Sequence, residues 1–220
     1  MPSGSRSYRQ NCGLAHALDL IGERWSLLVV RELARGPKRF RDLESGLPGI
    51  GANLLSARLK RLEAARIAER VALAPGVPAY GLTVRGEQLT VVLEDLALWG
   101  AELLEPPSAA VETRAVWAAM SMRAWMDREP NPAPAGTYAF VVDDQAFWLR
   151  VEDGRSQLRD GTPPYPPNAT LRVGRDGFLA LAAGRADVTQ VHAVLDGDEP
   201  RLRSLLETFR LPPSLTLDAA

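Results

Sequence analysis

Cysteine and histidine are scarce in this sequence. The 220 residues include one cysteine, Cys12, and two histidines, His16 and His192. A single cysteine excludes an intrachain disulfide, and a structural zinc site needs about four clustered cysteine or histidine ligands. We therefore expect no metal and no other cofactor, and any thiol chemistry depends on Cys12 alone.

Long hydrophobic runs are also absent. No apolar stretch approaches the roughly 20 residues of a membrane-spanning helix, and residues 1–8 are too few and too polar for a signal peptide. Hydrophobic residues make up 46% of the chain and charged residues 24%, a balance typical of a chain that buries a core. The sequence predicts a cytoplasmic protein without membrane contact.

The common catalytic motifs are missing as well. The chain has no Gly-x-Ser-x-Gly, no His-Glu-x-x-His and no glycine-rich phosphate-binding loop after a predicted strand. Neighbouring carboxylates at 143–144 and 152–153 fall at predicted turns, where acidic side chains cap the backbone and meet solvent. We expect no catalytic site, and the protein is predicted not to be an enzyme.

Positive charge is concentrated in the first part of the chain. Residues 1–85 contain 14 basic and 7 acidic side chains, although the whole chain has a net charge of −1. Residues 86–105 contain 5 acidic side chains and no basic one. A polyanionic partner requires such an asymmetry, and a solvated basic face without a binding role would look the same.

The pattern of residues 14–83 predicts a winged helix-turn-helix. Apolar residues at helical spacing indicate two helices before residue 34, a short helix at 40–46 and a longer one at 52–64, with glycine and proline between them. Two strand-like runs, at 67–73 and 79–83, then read as a hairpin with a short tip. In this unit the second helix of the helix-turn-helix enters the DNA major groove.

A long helix is predicted over residues 85–105. Its apolar stripe is longer than the compact winged unit requires and consists of Leu89, Val92, Leu93, Leu96, Trp99 and Leu103. We interpret it as a homodimerisation surface, paired with the helix that holds Leu14 and Leu18 in the partner. The alternative is that the stripe packs on the second domain of its own chain.

The second half is predicted to be a separate α+β domain. Pro106-Pro107 ends the long helix, which divides the chain into domains at 1–105 and 106–220. A helix at 109–128 is followed by a meander of alternating residues at 136–161. Further segments complete a small sheet covered by helices: a strand at 169–173, a helix at 175–183, a strand at 191–195 and a helix at 199–209.

Several short motifs mark the first half. They are a cysteine near the start, Gly22-x-x-Trp25, Arg39-Phe40-x-x-Leu43, Leu47-Pro48-Gly49-Ile50 and Tyr80-x-Leu82-Thr83-x-x-Gly86. With these motifs in register, residues 9–104 resemble the HxlR-type winged helix-turn-helix transcriptional regulators. The resemblance implies a dimer whose two recognition helices bind an inverted-repeat operator in double-stranded DNA. Repression is expected, because it is the commoner role of such folds.

The resemblance makes the helix at 52–64 the recognition helix. Its leucines fall on one face, so the opposite face carries Asn53, Ala57, Lys60 and Arg61, with Ser56 at its edge. We expect base contacts from Asn53, Ser56 and Lys60, and a thymine methyl contact from Ala57. Phosphate contacts are expected from Lys38, Arg39, Arg41 and Arg61. Arg58, on the flank of the buried face, is expected to pair with a carboxylate of its own domain.

The stretch NATLRVGRDGFLALAAGRADVTQVHAVLDGDEPRLRSLLETF carries a second, less specific likeness. Residues 110–212 resemble the sterol-carrier-protein-like domain, a small α/β sandwich, which implies an apolar cavity between sheet and helix for a small apolar effector. The candidate lining residues are Trp117, Trp125, Phe140, Trp148 and Phe178. The alternative is that these aromatic side chains form the core of a small domain.

Three functions are compared. The first is a dimeric regulator in which effector binding in the second domain changes the placement of the recognition helices. The second is a carrier of hydrophobic ligands whose winged unit serves only for dimerisation or protein contact. The third is a redox or electrophile-sensing regulator, because some HxlR-type proteins sense through a cysteine near the position of Cys12.

Overall fold

A computed structural model describes residues 7–101, 103, 112–128 and 133–211 of the chain. The chain divides into two compact units, Met1–Leu93 and Glu94–Ala220. This division falls inside one long helix, α5, whereas the predicted boundary at Pro106-Pro107 lies outside the described residues. The mixed helix and strand content confirms the α+β prediction.

The first unit has the element order of a winged helix-turn-helix. Its elements are α1 Gly13–Ile21, α2 Ser26–Leu33, α3 Phe40–Gly46, α4 Ala52–Ala64, β1 Ala68–Ala74, β2 Val77–Leu82 and the first part of α5 Val84–Ala101. Helix α4, which carries leucines at helical spacing, contacts α1 and α2, and α2 in turn contacts α3. The fully buried side chains include Val29, Val30, Leu43, Leu55, Leu59 and Leu62. One core therefore holds the helices together.

The two wing strands meet at a tighter turn than expected. Strands β1 and β2 are antiparallel and pair as far as Ala74 with Val77, so the tip is only Pro75 and Gly76. Proline suits the first central position of such a turn, and Gly76 has a φ of 77°, which favours glycine at the second. The predicted loop at 74–78 is therefore too long by three residues.

The end of the hairpin explains the motif Tyr80-x-Leu82-Thr83-x-x-Gly86. The Thr83 hydroxyl accepts a hydrogen bond from the backbone N–H of Gly86 at 3.1 Å, as a helix N-cap does. A Cβ at Gly86 would lie 2.1 Å from the carbonyl oxygen of Ile67, so only glycine fits there. These contacts fix the start of α5 against the wing.

The second unit contains a five-stranded sheet in the order β5-β4-β3-β6-β7. Its elements are α6 Ala115–Met126, β3 Gly136–Val142, β4 Gln145–Glu152, β5 Arg155–Asp160, β6 Ala169–Val173, α7 Arg175–Ala182, β7 Val194–Gly197 and α8 Glu199–Thr208. Strands β3 and β6 are parallel, and the other neighbours are antiparallel. The last strand begins three residues later than predicted, because residues 187–193 form a turn around the side chain of Asp187.

Alternation along the strands gives the sheet one apolar face. On β3 the side chains of Tyr138, Phe140 and Val142 are fully buried. The ring of Phe140 stacks on Phe147, with centroids 5.1 Å apart. Rings from α7 and from the end of α8 complete the cluster, so these helices pack on the same face.

Candidate nucleic-acid interface

Helix α4 presents a polar face on the side opposite to its buried leucines. Asn53, Ala57 and Lys60 are exposed and Ser56 is half-buried, whereas Leu55 and Leu59 are at most 1% exposed. The helix begins at Ala52, and its N-cap Gly51 has an extended backbone that follows the tight turn at Gly49, where φ is 86°. The exposed face therefore carries an amide, a hydroxyl and an ammonium group, which are suited to hydrogen bonds with base edges.

Two arginines of α4 are bound to the segment between α1 and α2. Arg58 donates from Nε to the carbonyl oxygen of Arg24 at 2.8 Å and from Nη2 to Glu23 at 3.1 Å. This agrees with the expectation that Arg58 pairs with a carboxylate of its own domain. Arg61 donates from Nη1 to the other Glu23 oxygen at 3.1 Å and from Nη2 to the carbonyl oxygen of Asp19.

The contacts of Arg61 argue against the expected phosphate role. A guanidinium that holds a carboxylate and a backbone carbonyl must give up these hydrogen bonds before it can bind a phosphate. Sequence reasoning missed Glu23, the residue that binds both arginines. No spacing pattern marks it, because 35 residues separate it from Arg58 and 38 from Arg61.

Lys38 also departs from the expected role. It is 9% exposed, and its backbone N–H and carbonyl form a two-way bridge with those of Tyr80 on β2. The segment before α3 is thereby tied to the wing, so the burial of Lys38 argues against a phosphate contact. Arg39 and Arg41 remain exposed at the start of α3, where the Arg39 backbone N–H donates to the Asp42 carboxylate at 3.2 Å.

The wing strands carry a basic side chain that the prediction did not include. Arg70 on β1 is 70% exposed at its side chain and pairs with Glu63 at 3.1 Å. Its guanidinium also lies over the Tyr80 ring, 5.7 Å from the centroid. The predicted DNA contacts include no residue of the wing. The segment at 74–78 between the two predicted strands has no basic residue, and the basic side chain lies on β1 instead.

A buried ion pair lies where α2 packs against the end of α3. Arg35 donates to Glu32 at 2.5 Å, and their side chains are only 4% and 2% exposed. A Cβ at Gly46, the last residue of α3, would lie 2.8 Å from the Glu32 carboxylate. Burying two charges is unfavourable unless they are paired, so removal of either partner is expected to disturb this joint.

The apolar stripe predicted for dimerisation is largely open to solvent. Val92, Leu96 and Trp99 are 59%, 48% and 64% exposed, and Leu89 is half-buried. On α1, Leu14 and Leu18 are 69% and 40% exposed. Large apolar side chains repeated along an exposed helix face are typical of a surface that another molecule covers.

The five candidate effector residues divide into two groups. Phe140 and Phe178 are fully buried, and their rings pack edge to face with centroids 6.2 Å apart. Their contacts with Phe147 and Phe209 place them in the aromatic core, which favours the alternative that they pack the domain over their expected role as cavity lining. Trp117, Trp125 and Trp148 are half-buried, and Trp117 lies under the guanidinium of Arg114.

Cys12 lies at the N-terminal end of α1. It is exposed, and its backbone is the N-cap of the helix. The backbone N–H groups of Ala15 and Leu14, in the first turn of the helix, lower the pKa of the thiol below its ordinary value. Such a position favours the thiolate, which is the reactive form of cysteine.

The described part of the chain shows neither a metal cluster nor a membrane-spanning helix. Among these residues, no group of three or more His, Cys, Asp or Glu side chains is arranged to hold a metal ion. Within the same residues, no helix has both the length and the apolar character needed to cross a membrane.

Comparison with known proteins covers the first part of the chain. A family profile described as HxlR-like helix-turn-helix matches residues 20–108. The chain is 36% identical to the HTH-type transcriptional regulator YodB of Bacillus subtilis (strain 168) over 99 residues, which are 44% of this chain and 88% of that protein. It is 37% identical to the uncharacterized HTH-type transcriptional regulator sll1512 of Synechocystis sp. over 100 residues, 44% of this chain and 73% of that protein.

Solved structures give similar coverage. The reduced form of YodB from B. subtilis aligns with 34% sequence identity and a TM-score of 0.38 over 45% of this chain and 100% of that one. The quinone-bound YodB from the same organism aligns with 36% identity and a TM-score of 0.36 over 40% and 93%.

Proposed function

Because the chain belongs to the HxlR-like helix-turn-helix family, we propose that it is a homodimeric transcriptional regulator that binds an inverted-repeat operator through α4. The observation that carries this proposal is the exposed polar face of α4, with Asn53 and Lys60 pointing away from the buried leucines. The relatives reported above are named as helix-turn-helix transcriptional regulators and not as enzymes. They confirm the prediction that the chain is not an enzyme.

The proposed DNA contacts divide by chemistry. Asn53 and Lys60 would bind base edges in the major groove, with Ser56 and Ala57 beside them. Arg39 and Arg41, which are exposed on α3, would bind phosphates, and the wing would add Arg70 if it releases Glu63. Lys38 and Arg61 are left out of this set because of their burial and contacts.

The proposed dimer uses the exposed stripe of α5 together with Leu14 and Leu18 of α1. Two recognition helices spaced by a symmetric dimer bind two half-sites about one helical turn of DNA apart. Burial of exposed Val92, Leu96 and Trp99 would supply the hydrophobic part of the association. The dimer surface and the DNA-binding face would then lie on different helices.

The second unit is proposed to bind a small apolar effector in a sterol-carrier-like fold. Support comes from its single sheet with helices packed on the aromatic face. Trp117, Trp125 and Trp148 remain the candidate contacts, since Phe140 and Phe178 fill the core. A carrier function without DNA binding is disfavoured by the polar and basic face of α4, because a protein contact site is typically apolar or aromatic at its centre.

A second candidate is thiol-based regulation through Cys12. The favouring observation is an exposed thiol whose pKa is lowered by the N-terminal backbone of α1. An adduct on Cys12 would add bulk beside Leu14, on the helix proposed to contribute to the dimer.

The operator proposal predicts that Asn53→Ala together with Lys60→Ala abolishes sequence preference. Loss of one good base contact costs about 1–3 kcal/mol, so affinity should fall about 5-fold to 150-fold for each. The measurement is fluorescence anisotropy with a duplex from the chain's own upstream region and a scrambled duplex, in a salt series. Gln157→Ala, at an exposed position on β5, is the amide control and should bind as the wild type does. Weak wild-type binding that ignores sequence and salt would instead support the carrier function.

The dimer proposal predicts that Val92→Glu shifts the protein to monomer. A charge placed in an apolar interface must be desolvated without a partner. Val91→Glu is the matched control, because Val91 and Val92 are 58% and 59% exposed on the same helix and Val91 lies about 100° away from the stripe. Sedimentation velocity measures the outcome, and equal behaviour of the two variants would contradict the proposed surface.

The effector proposal predicts that saturating long-chain fatty acid changes the operator affinity of the wild type. A ligand shifts the equilibrium only by its differential affinity for two arrangements. Trp117→Ala should weaken the response, whereas Tyr165→Ala, at a 76% exposed position, should not. The same anisotropy assay measures both, and equal operator affinity with and without fatty acid would exclude control by this ligand.

The thiol proposal predicts that iodoacetamide alkylates Cys12 with a half-maximal rate at a pH below the ordinary thiol value of about 8.5. A lowered pKa means that the thiolate persists at lower pH, so alkylation begins earlier as pH rises. The same chain unfolded in urea is the reference, since it lacks the helix. Alkylated wild type should lose operator affinity and treated Cys12→Ser should keep it. Unchanged binding by the alkylated wild type would remove this candidate.

A further inference from the structure

The two arginines held by Glu23 differ in their position around α4. At about 100° per residue, Arg61 lies about 40° from Ala57 around the helix, whereas Arg58 lies about 100° from it. Arg61 is therefore next to the DNA-facing side and Arg58 is near the buried side. Their side chains are 27% and 15% exposed, in agreement with this order.

Glu23 is well placed to control the direction of the Arg61 side chain. Its two carboxylate oxygens bind different arginines, Oε1 to Arg61 and Oε2 to Arg58, each at 3.1 Å. Arg58 is also fixed by the Arg24 carbonyl at 2.8 Å, so it holds Glu23 in place. Arg61 is in turn held on the side of α1, where it also donates to the Asp19 carbonyl.

We infer that Glu23 is a positioning residue that lowers the sequence-independent part of DNA binding, because it keeps the Arg61 guanidinium away from the DNA backbone. This inference rests on the proposed DNA binding by α4. A phosphate contact adds affinity for every sequence and gives no discrimination between bases. Withholding one cation in each protomer lowers binding to random DNA and leaves the base contacts of Asn53 and Lys60 to determine affinity.

The salt dependence of binding separates this role from simple support of α4. Each phosphate neutralised by a cation steepens the slope of log affinity against log salt by about 0.9. If Arg61 is released in both protomers of Glu23→Gln, the slope should steepen by about 1.8 and affinity for a random duplex should rise about 3-fold to 10-fold. Affinity for the operator should rise by a similar factor, so the ratio of specific to random binding should stay about the same.

The matched control is Glu69→Gln. Glu69 is an exposed carboxylate on β1 that pairs with no arginine among the described residues, so its removal changes the net charge equally without releasing a guanidinium. Arg61→Gln completes a double-mutant cycle. It should leave the salt slope of the wild type unchanged, and in the Glu23→Gln background it should cancel the added slope.

The outcomes separate this inference from the proposed function. If the wild type binds its operator no more tightly than random DNA, the proposed operator binding through α4 is contradicted. A wild type that prefers its operator, with Glu23→Gln no steeper in salt than Glu69→Gln, overturns the inference alone. The inference is also overturned if Glu23→Gln steepens the salt slope by the same amount when Arg61 is replaced by Gln. Lower operator affinity at an unchanged slope would show that Glu23 only supports the helix, and circular dichroism establishes that each variant is folded.

Discussion

Burial of the leucine face of α4 is the constraint on which the first unit depends. Leu55, Leu59 and Leu62 are at most 1% exposed, and each contributes roughly 1.5–3 kcal/mol when it leaves water. Because the helix repeats every 3.6 residues, fixing these three positions also fixes which residues face outward. The polar face of Asn53 and Lys60 is the geometric complement of that core.

The contacts of the residues between these two faces determine which cationic side chains of the helix are available to bind phosphates. Arg58 and Arg61 lie on one flank, and both are bound by Glu23 and by backbone carbonyls. A helix with two free arginines on this flank would bind phosphates more strongly and bases no better. The core orients α4, and the flanking ion pairs determine which of its cations are available.

The local sequence pattern predicts the helices and strands of this chain well, but it does not predict the contacts between residues distant in sequence. The periodicity of α4 and the alternation of β3 and β4 depend on neighbouring residues, so the sequence alone indicates the helix, the strands and the outward face. The binding of Arg61 by Glu23 and the bridge from Lys38 to Tyr80 depend on residues 38 and 42 positions apart. No spacing rule describes such contacts, so the sequence alone did not reveal the interactions that hold Arg61 and Lys38 within the first unit.

The second unit shows the same limit for aromatic residues. Phe140, Phe178 and Trp148 all stand at regular strand or helix spacing, and the pattern does not distinguish a core ring from a cavity ring. Only the packing does so: Phe140 and Phe178 contact each other and two more rings, whereas Trp148 lies on the opposite face of β4 from Phe147 and is half-buried. The half-buried tryptophans are therefore the better candidates for ligand contact.

Helix α5 begins in the first unit and ends in the second, so the proposed effector control could act through it. Two ion pairs join its second part to α6, Glu94 with Arg123 and Asp95 with Arg128. Asp95 and Arg128 are 65% and 37% exposed, and such a pair contributes roughly 0.2–1 kcal/mol. Reversing a 1:99 equilibrium to 99:1 needs about 5.5 kcal/mol, far more than this pair could transmit.

Glu94 and Arg123 are only 16% and 13% exposed, and burial raises the pKa of Glu94 despite its partner. A shift of α6 that separated this pair would leave two desolvated charges, so the Glu94 contact is the stronger connection between α6 and α5.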